Sequence, residues 1–251
     1  MLWALTRREL QSRYAGSAAG VLWAYLQPIL TVAAYYLVFD VVFAMRLGDS
    51  APTKAVGTYL IVGALPWMAF GDALSRGASS LVDAGGLLQK NALPPAFIPA
   101  RTVVASALVF TPLMVLLVLA YWPMHHGVWA TLLAVPLLWI AQTLMVFWMA
   151  LMLSILAAAM RDITQFLMFA LQMGIFLSPA LFPYAQFPEA WRWVLWLNPM
   201  TPLLLGYQNA LLQGIWPMMN IWMILLVWLT LFAGAAKLLY ARSKDQVVDW
   251  L

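Results

Sequence analysis

The sequence predicts an all-α integral membrane fold: six transmembrane helices, an N-terminal interfacial helix, and short re-entrant helices before the last span. Three observations carry this prediction. Hydrophobic residues make up 65% of the 251 residues and charged residues only 9%, with a mean hydropathy of +0.88. That is too little charge to build a water-facing surface for a chain of this size. The apolar residues are gathered into six runs divided by short polar stretches, each at least about 20 residues, the length a helix needs to cross a ~30 Å hydrocarbon core. The runs are also continuously apolar, without the in–out alternation of barrel strands, so helices must satisfy their backbone groups within lipid.

Taken in order, Met1–Gly20 reads as an interfacial helix. Trp3, Leu10 and Tyr14 share a stripe at helical period, but Arg7 lies on it too, so the amphipathicity is moderate. Arg7 can snorkel to headgroups, and Gly16 and Gly20 break the segment before the first span. The basic charge suits either a topological anchor or a partner-docking surface. With Arg7, Arg8, Glu9 and Arg13 so early, a cleavable signal peptide is not expected, and the first span serves as its own insertion signal.

The spans are placed at Val21–Met45, Tyr59–Leu81, Ile98–Tyr121, Val128–Met160, Ile163–Pro183 and Pro217–Tyr240. The fourth is longer than one crossing needs, so it tilts or protrudes. With the N-terminus inside, Arg7, Arg8, Arg13, Arg76, Lys90, Arg101, Arg161, Lys237, Arg242 and Lys244 fall on the cytoplasmic side, and only Arg46, Lys54 and Arg192 on the other. That bias places both termini in the cytoplasm. It also accounts for the net charge of +4 without a nucleic-acid partner.

Between the spans, Leu47–Gly57 is an external turn marked by Gly48, Asp49 and Pro52. In Val82–Phe97, Gly85 and Gly86 end the second helix. Leu87–Leu93 then forms about two turns, and Pro94 and Pro95 stop it. Leu87, Leu88 and Leu93 are expected to be exposed there and to need a covering partner, against the plainer reading of a hairpin between spans. Arg161 and Asp162 punctuate a tight turn and carry no chemistry.

Tyr184–Trp216 is too long for a turn and too broken for a span. Ser178-Pro179 and Phe182-Pro183 break the fifth helix before it, and it is rich in Trp. It reads as two short re-entrant helices forming an external gate, with an interfacial aromatic belt as the competing reading. The chain reads as one domain, 1–251: interfacial helix 1–20, spans one to five over 21–183, external helices 184–216, then the last span and tail 217–251.

Several chemistries are excluded. There is no Cys, hence no disulfide or thiolate metal site. There is no phosphate-cradling Gly-rich loop ending in Lys-Ser/Thr, no His-Glu-x-x-His and no Gly-x-Ser-x-Gly. His125 and His126 are adjacent and do not converge on a metal. Asp40 sits near the outer end of the first span, within reach of water, and Asp72 and Arg76 form a local i, i+4 pair. Neither supports a proton relay. Aromatic rings deep in the spans, Tyr35, Tyr36, Trp139 and Trp148, suit weak stacking of sugar rings in a long neutral or acidic polymer that slides, with plain packing or an interfacial belt as the commoner role for any single ring.

The ordered set Leu5-Thr6-Arg7-Arg8-Glu9-Leu10, Gly20-Val21-Leu22-Trp23-Ala24-Tyr25-Leu26-Gln27-Pro28, Gly63-Ala64-Leu65-Pro66-Trp67, Leu93-Pro94-Pro95, Arg161-Asp162, Leu177-Ser178-Pro179 and Leu197-Asn198-Pro199-Met200 resembles the permease subunit of ABC-2 type exporters of bacterial cell-surface polysaccharide. Capsule, O-antigen and teichoic-acid transporters belong to this group. The resemblance implies an inner-membrane homodimer bound to two copies of a separate ATPase. That ATPase carries ATP and Mg, so this chain binds no cofactor itself. It further implies a lipid-linked polysaccharide substrate and periplasmic or outer-membrane export components.

On this resemblance, ATPase coupling falls to Arg7, Arg8, Glu9 and Arg13, and to Leu87, Leu88, Gln89, Lys90 and Asn91. The resemblance gives the external gate to Phe182, Tyr184, Phe187, Trp191, Trp193 and Trp196, while the deep aromatics Tyr35, Tyr36, Trp139 and Trp148 are the expected substrate path. A small-molecule efflux permease and a membrane-embedded transferase are the alternatives. The transferase would need clustered Asp, Glu or His at one membrane face, and here the acids are scattered.

Overall fold

A computed structural model of the chain describes residues 2–13, 16–18, 20–48, 51–90, 93–121, 129–243, 246, 247 and 250. Tyr14, Asp49, Asn91, His125, His126 and Lys244 lie outside the described residues. The described residues form an all-α bundle: α1 (Leu2–Arg13), α2 (Leu22–Tyr35, continuing as a π-helical stretch Tyr36–Val42), α3 (Val56–Asp83), α4 (Gly85–Lys90), α5 (Phe97–Tyr121), α6 (Trp129–Leu132), α7 (Ala134–Ala159), α8 (Asp162–Gly174), α9 (Arg192–Leu195), α10 (Met200–Gln208, continuing as π-helical Asn209–Gln213) and α11 (Met219–Ser243). Among the described residues, four helices are long and apolar enough to cross a membrane: Leu22–Val42, Phe97–Tyr121, Ala130–Ala159 and Met219–Ser243.

The centre of the bundle is α3. Its 28 residues span about 42 Å at 1.5 Å per residue, and it is sheathed by α2, α5, α7 and α10. Lipid offers no hydrophobic drive between helices, so close packing must come from small residues. Gly77 of α3 meets Ala150 of α7 so closely that an added Cβ would stand 2.5 Å from the alanine Cβ. Ala64, Ala69, Ala73 and Ala78 line the same buried helix. The outward faces of α2, α8 and α11 carry exposed Leu, Ile, Phe and Met, including Leu30, Phe166, Phe169 and Leu226.

Three sequence expectations change. The fifth run was expected to be helical over Ile163–Pro183, but α8 ends at Gly174. The next residues run as turns and a bend up to the single 3₁₀ turn Tyr184–Gln186. Thirteen helical residues reach only about 20 Å. The helix stops because its last carbonyls find side-chain partners instead of another turn. The Asn198 amide donates to the carbonyls of Gly174 (2.8 Å) and Leu177 (3.2 Å).

Second, α3 ends at Asp83 and, after the single residue Ala84, Gly85 and Gly86 open α4 rather than a break. There Leu88 is not exposed. It is 4% accessible and packs with Leu81, Ile98 and Ile155. Leu93 is also partly buried on this cluster, so of the three leucines only Leu87 is exposed. Third, Asp40 does not merely reach water. Its carboxylate accepts from the backbone N–H of Gly57 (2.7 Å) and Thr58 (3.0 Å) and from the Thr58 hydroxyl (3.2 Å). It therefore satisfies the donors at the positive N-terminus of α3.

Candidate functional site

Polar chemistry inside an apolar bundle must be paired, and here it gathers at the two ends of α3. At the end that carries α1, Arg13 is the hub. Its side chain is only 4% exposed because α1 lies along the first turns of α5. The guanidinium donates to the Ser106 hydroxyl (3.0 Å), the Thr102 carbonyl (2.9 Å) and Glu9 (3.3 Å), and stands 3.8 Å from Asp72. Asp72 accepts from Ser106 (2.7 Å) and from Arg76 (2.7 Å), and Glu9 is within 3.6 Å of Arg101. The Asp72–Arg76 pair expected from spacing is present, but it belongs to a chain of charges joining α1, α3 and α5.

Of the α1 residues assigned to coupling, Arg7 and Arg8 face outward, whereas Glu9 and Arg13 turn into this network. On α4, Leu87, Gln89 and Lys90 are exposed and Leu88 is not.

The opposite end holds a second network. The Tyr59 hydroxyl lies 2.6 Å from the Pro179 carbonyl and 2.8 Å from that of Phe182, and it accepts from the Gln208 amide (2.9 Å). Gln208 also donates to Pro179. One layer deeper, Tyr207 donates to Gln142 (3.0 Å), whose amide donates to the Pro66 carbonyl (2.9 Å). Tyr59 and Gln208, together with Asn198, supply partners to the non-helical backbone after α8. Irregular backbone at membrane depth needs such partners, because no water is present to do it.

The weak sequence motifs therefore meet in space. Gly63 lets α3 touch the backbone of Ala180, and Trp67 packs beside Gly174. Pro179 is the shared acceptor, and Asn198 caps two helices. Its Oδ1 accepts from the Met200 N–H (3.0 Å) at the start of α10 while its amide closes α8. Gly214, with φ 64°, ends the π-helical turn after α10 in the left-handed region that glycine tolerates. Asn198→Ala is expected to destabilise the protein by about 1–2 kcal/mol by removing both caps, read as a lower unfolding midpoint in detergent.

The residues expected to form the gate make a cap over this end. Phe182 stacks on Phe187 with centroids 5.5 Å apart, and the Trp196 indole donates to the Tyr184 hydroxyl (3.0 Å). Arg192 lies 5.5 Å over the Tyr184 ring and donates to the carbonyls of Phe187 and Ala185. Trp191 and Trp193 are exposed. The cap is built from 3₁₀ turns and the single turn α9, with α10 buried behind it.

The four path aromatics do not converge within one chain. Trp139 and Trp148 sit on different faces of α7, one donating to Thr111 of α5 (3.1 Å) and the other beneath Lys237 of α11 (5.4 Å). Tyr35 packs near Tyr59 at the far end, and Tyr36 is exposed.

Sequence reasoning passed over Tyr59, Gln142, Ser106, Tyr207 and Gln208. The available signal was a glutamine within or beside an apolar run, since polar side chains there are costly and are kept for a partner.

Similarity to known proteins agrees with this architecture. The ABC-2 type transporter family matches residues 1–212, and the chain belongs to that family. It is a multi-pass membrane protein and a transport permease. Relatives include the O-antigen export system permease protein RfbA of Myxococcus xanthus, 32% identical over 215 residues (83% of this chain, 78% of the relative). The protein of the same name in Klebsiella pneumoniae is 26% identical over 219 residues (85% and 81%). The polysialic acid transport protein KpsM of Escherichia coli is 22% identical over 213 residues (84% and 81%).

Proposed function

We propose that this chain is the membrane permease of an ATP-driven exporter that carries a lipid-linked cell-surface polysaccharide across the bacterial inner membrane. The observation that carries the reading is the family match together with relatives named for O-antigen export and polysialic acid transport, each aligned over most of its length. None of the three relatives is named for small-molecule efflux, so that alternative is not favoured. Deleting the gene is expected to abolish surface polysaccharide and leave the polymer inside the cell. Unchanged surface polymer would overturn the reading.

The finer assignments rest on the same reading. The permease works as a homodimer with two copies of an ATPase that binds ATP and Mg. It crosses the membrane six times with both termini cytoplasmic, so that α1 and α4 face the ATPase. The exposed apolar faces of α2 and α8 support a second copy packing against them. Exposed Leu87, Gln89 and Lys90 on α4 support an ATPase contact there, and exposed Arg7 and Arg8 support one on α1.

Leu87→Asp is expected to weaken ATPase co-purification with little loss of unfolding temperature, because Leu87 is exposed. Full ATPase recovery with this variant would sink the α4 contact. The Arg192-centred cap serves as the outer gate. Trp191→Cys, in a chain with no native Cys, is expected to cross-link two copies on oxidation and arrest export until reduced. Free export with the bridge formed would show an interfacial belt instead.

A further inference from the structure

We propose that a recess between α2, α3 and α5, at the end of the bundle that carries α1, binds sugar rings of the exported polymer as it enters the permease. This deepens the exporter reading and rests on it. The recess has a volume of about 330 Å³ and is lined by Trp23 and Gln27 of α2, Met68, Asp72 and Arg76 of α3, and Phe110 of α5, among others. That size lies at the lower end of the range of small-ligand sites, about 300–1,000 Å³, and leaves room for a short stretch of sugar.

The chemistry of the walls selects the ligand. Trp23 is 52% exposed, and an indole offers a flat apolar face to the C–H side of a pyranose. Gln27, Asp72 and Arg76 add planar amide, carboxylate and guanidinium groups, which pair with neighbouring hydroxyls through two-pronged hydrogen bonds. Asp72 is held before any ligand arrives, by Arg76 Nε at 2.7 Å on one oxygen and Ser106 at 2.7 Å on the other. A positioned carboxylate costs little to organise on binding. Three other recesses are lined almost wholly by apolar side chains and offer a sugar no such set of partners.

The test uses the full-length chain in its host, with Gln27→Cys as the only thiol in the protein. Reactivity toward a membrane-permeant maleimide is compared between cells that make the polymer and cells lacking the transferase that begins it. Labelling is expected to fall about fivefold when polymer is made, since only unoccupied sites react. Arg161→Cys, exposed in the polar turn before α8 and outside the recess, is expected to label equally in both. If Gln27→Cys does not export, Ala24→Cys, also on the recess wall, replaces it.

In parallel, Trp23→Ala is expected to cut export severalfold at unchanged membrane abundance, with Trp23→Tyr restoring most of it. Equal labelling with and without polymer, or full export by Trp23→Ala, overturns the site. If deleting the whole gene leaves surface polymer intact, it is the exporter reading that fails. Protection of Gln27→Cys by a bacterial phospholipid extract in purified, polymer-free protein would assign the recess to lipid headgroups and likewise overturn the proposal.

Discussion

Replacing Arg13 by Ala is expected to destabilise the protein by about 3 kcal/mol and to release α1 from the bundle. Removing one partner of a buried ion pair costs about 3–5 kcal/mol, because the remaining charge is left desolvated without its counter-ion. Here the two acids each keep a second arginine, Arg101 at 3.6 Å from Glu9 and Arg76 at 2.7 Å from Asp72. Glu9 and Asp72 retain 19% and 25% side-chain exposure, so water softens the loss and the lower end of the range applies. Arg13→Lys is expected to recover only part of it. One ammonium cannot reproduce the fork that reaches Ser106, the Thr102 carbonyl and Glu9 together.

The checks are the unfolding midpoint in detergent and the maleimide reactivity of Leu10→Cys, which packs on the core when α1 is docked. A wild-type midpoint for Arg13→Ala would show that the network adds nothing to stability. Arg7→Glu and Arg8→Glu lie on the exposed side of α1. They are expected to leave the midpoint unchanged, which separates the structural arginine from the two that face outward.

Gly63→Ala is expected to cost about 2–3 kcal/mol and to abolish export, although alanine is the better helix former. The exchange gains up to ~1 kcal/mol of helix propensity. Against that, the new Cβ would stand 2.5 Å from the Ala180 carbonyl oxygen and 2.8 Å from its Cα. Those are backbone atoms in a buried segment, and the neighbouring Pro179 carbonyl is held by Tyr59 and Gln208. The segment can retreat only by giving up those hydrogen bonds, each worth about 1 kcal/mol, on top of about 1–3 kcal/mol of overpacking. Gly71→Ala on the same helix meets nothing within 4 Å, so it is expected to be neutral or slightly stabilising. If the two variants unfold at the same temperature, the close contact between α3 and Ala180 is not a constraint.

Much of the fold was legible in the chain. The predicted Ile98–Tyr121 and the observed Phe97–Tyr121 differ by a single residue at one end, as do the outer runs to within a few residues. Transfer of a continuous apolar stretch into lipid is a property of that stretch alone, and so is the need to close its hydrogen bonds as a helix. The Asp72–Arg76 pair was legible for the same reason, since four residues on a helix are one turn apart.

What the sequence did not reveal lies in the partners of single polar groups. Gln208 reaches Tyr59 across 149 positions, Arg13 reaches Ser106 across 93, and Asn198 reaches Gly174 across 24. Hydropathy registers each of these side chains as a small local cost and says nothing of what repays it. Those partners end α8 at Gly174, hold Pro179 against α3 and turn Arg13 inward, and local packing against Ile98 and Ile155 buries Leu88.

The sequence by itself determined the solvent of this protein, its helical class and the order of its segments, because burial in lipid is decided segment by segment. Only the tertiary structure decided where the irregular backbone runs and which arginine is structural. A buried hydrogen bond stabilises only when both of its ends arrive at the same place, and that is a property of the assembled bundle.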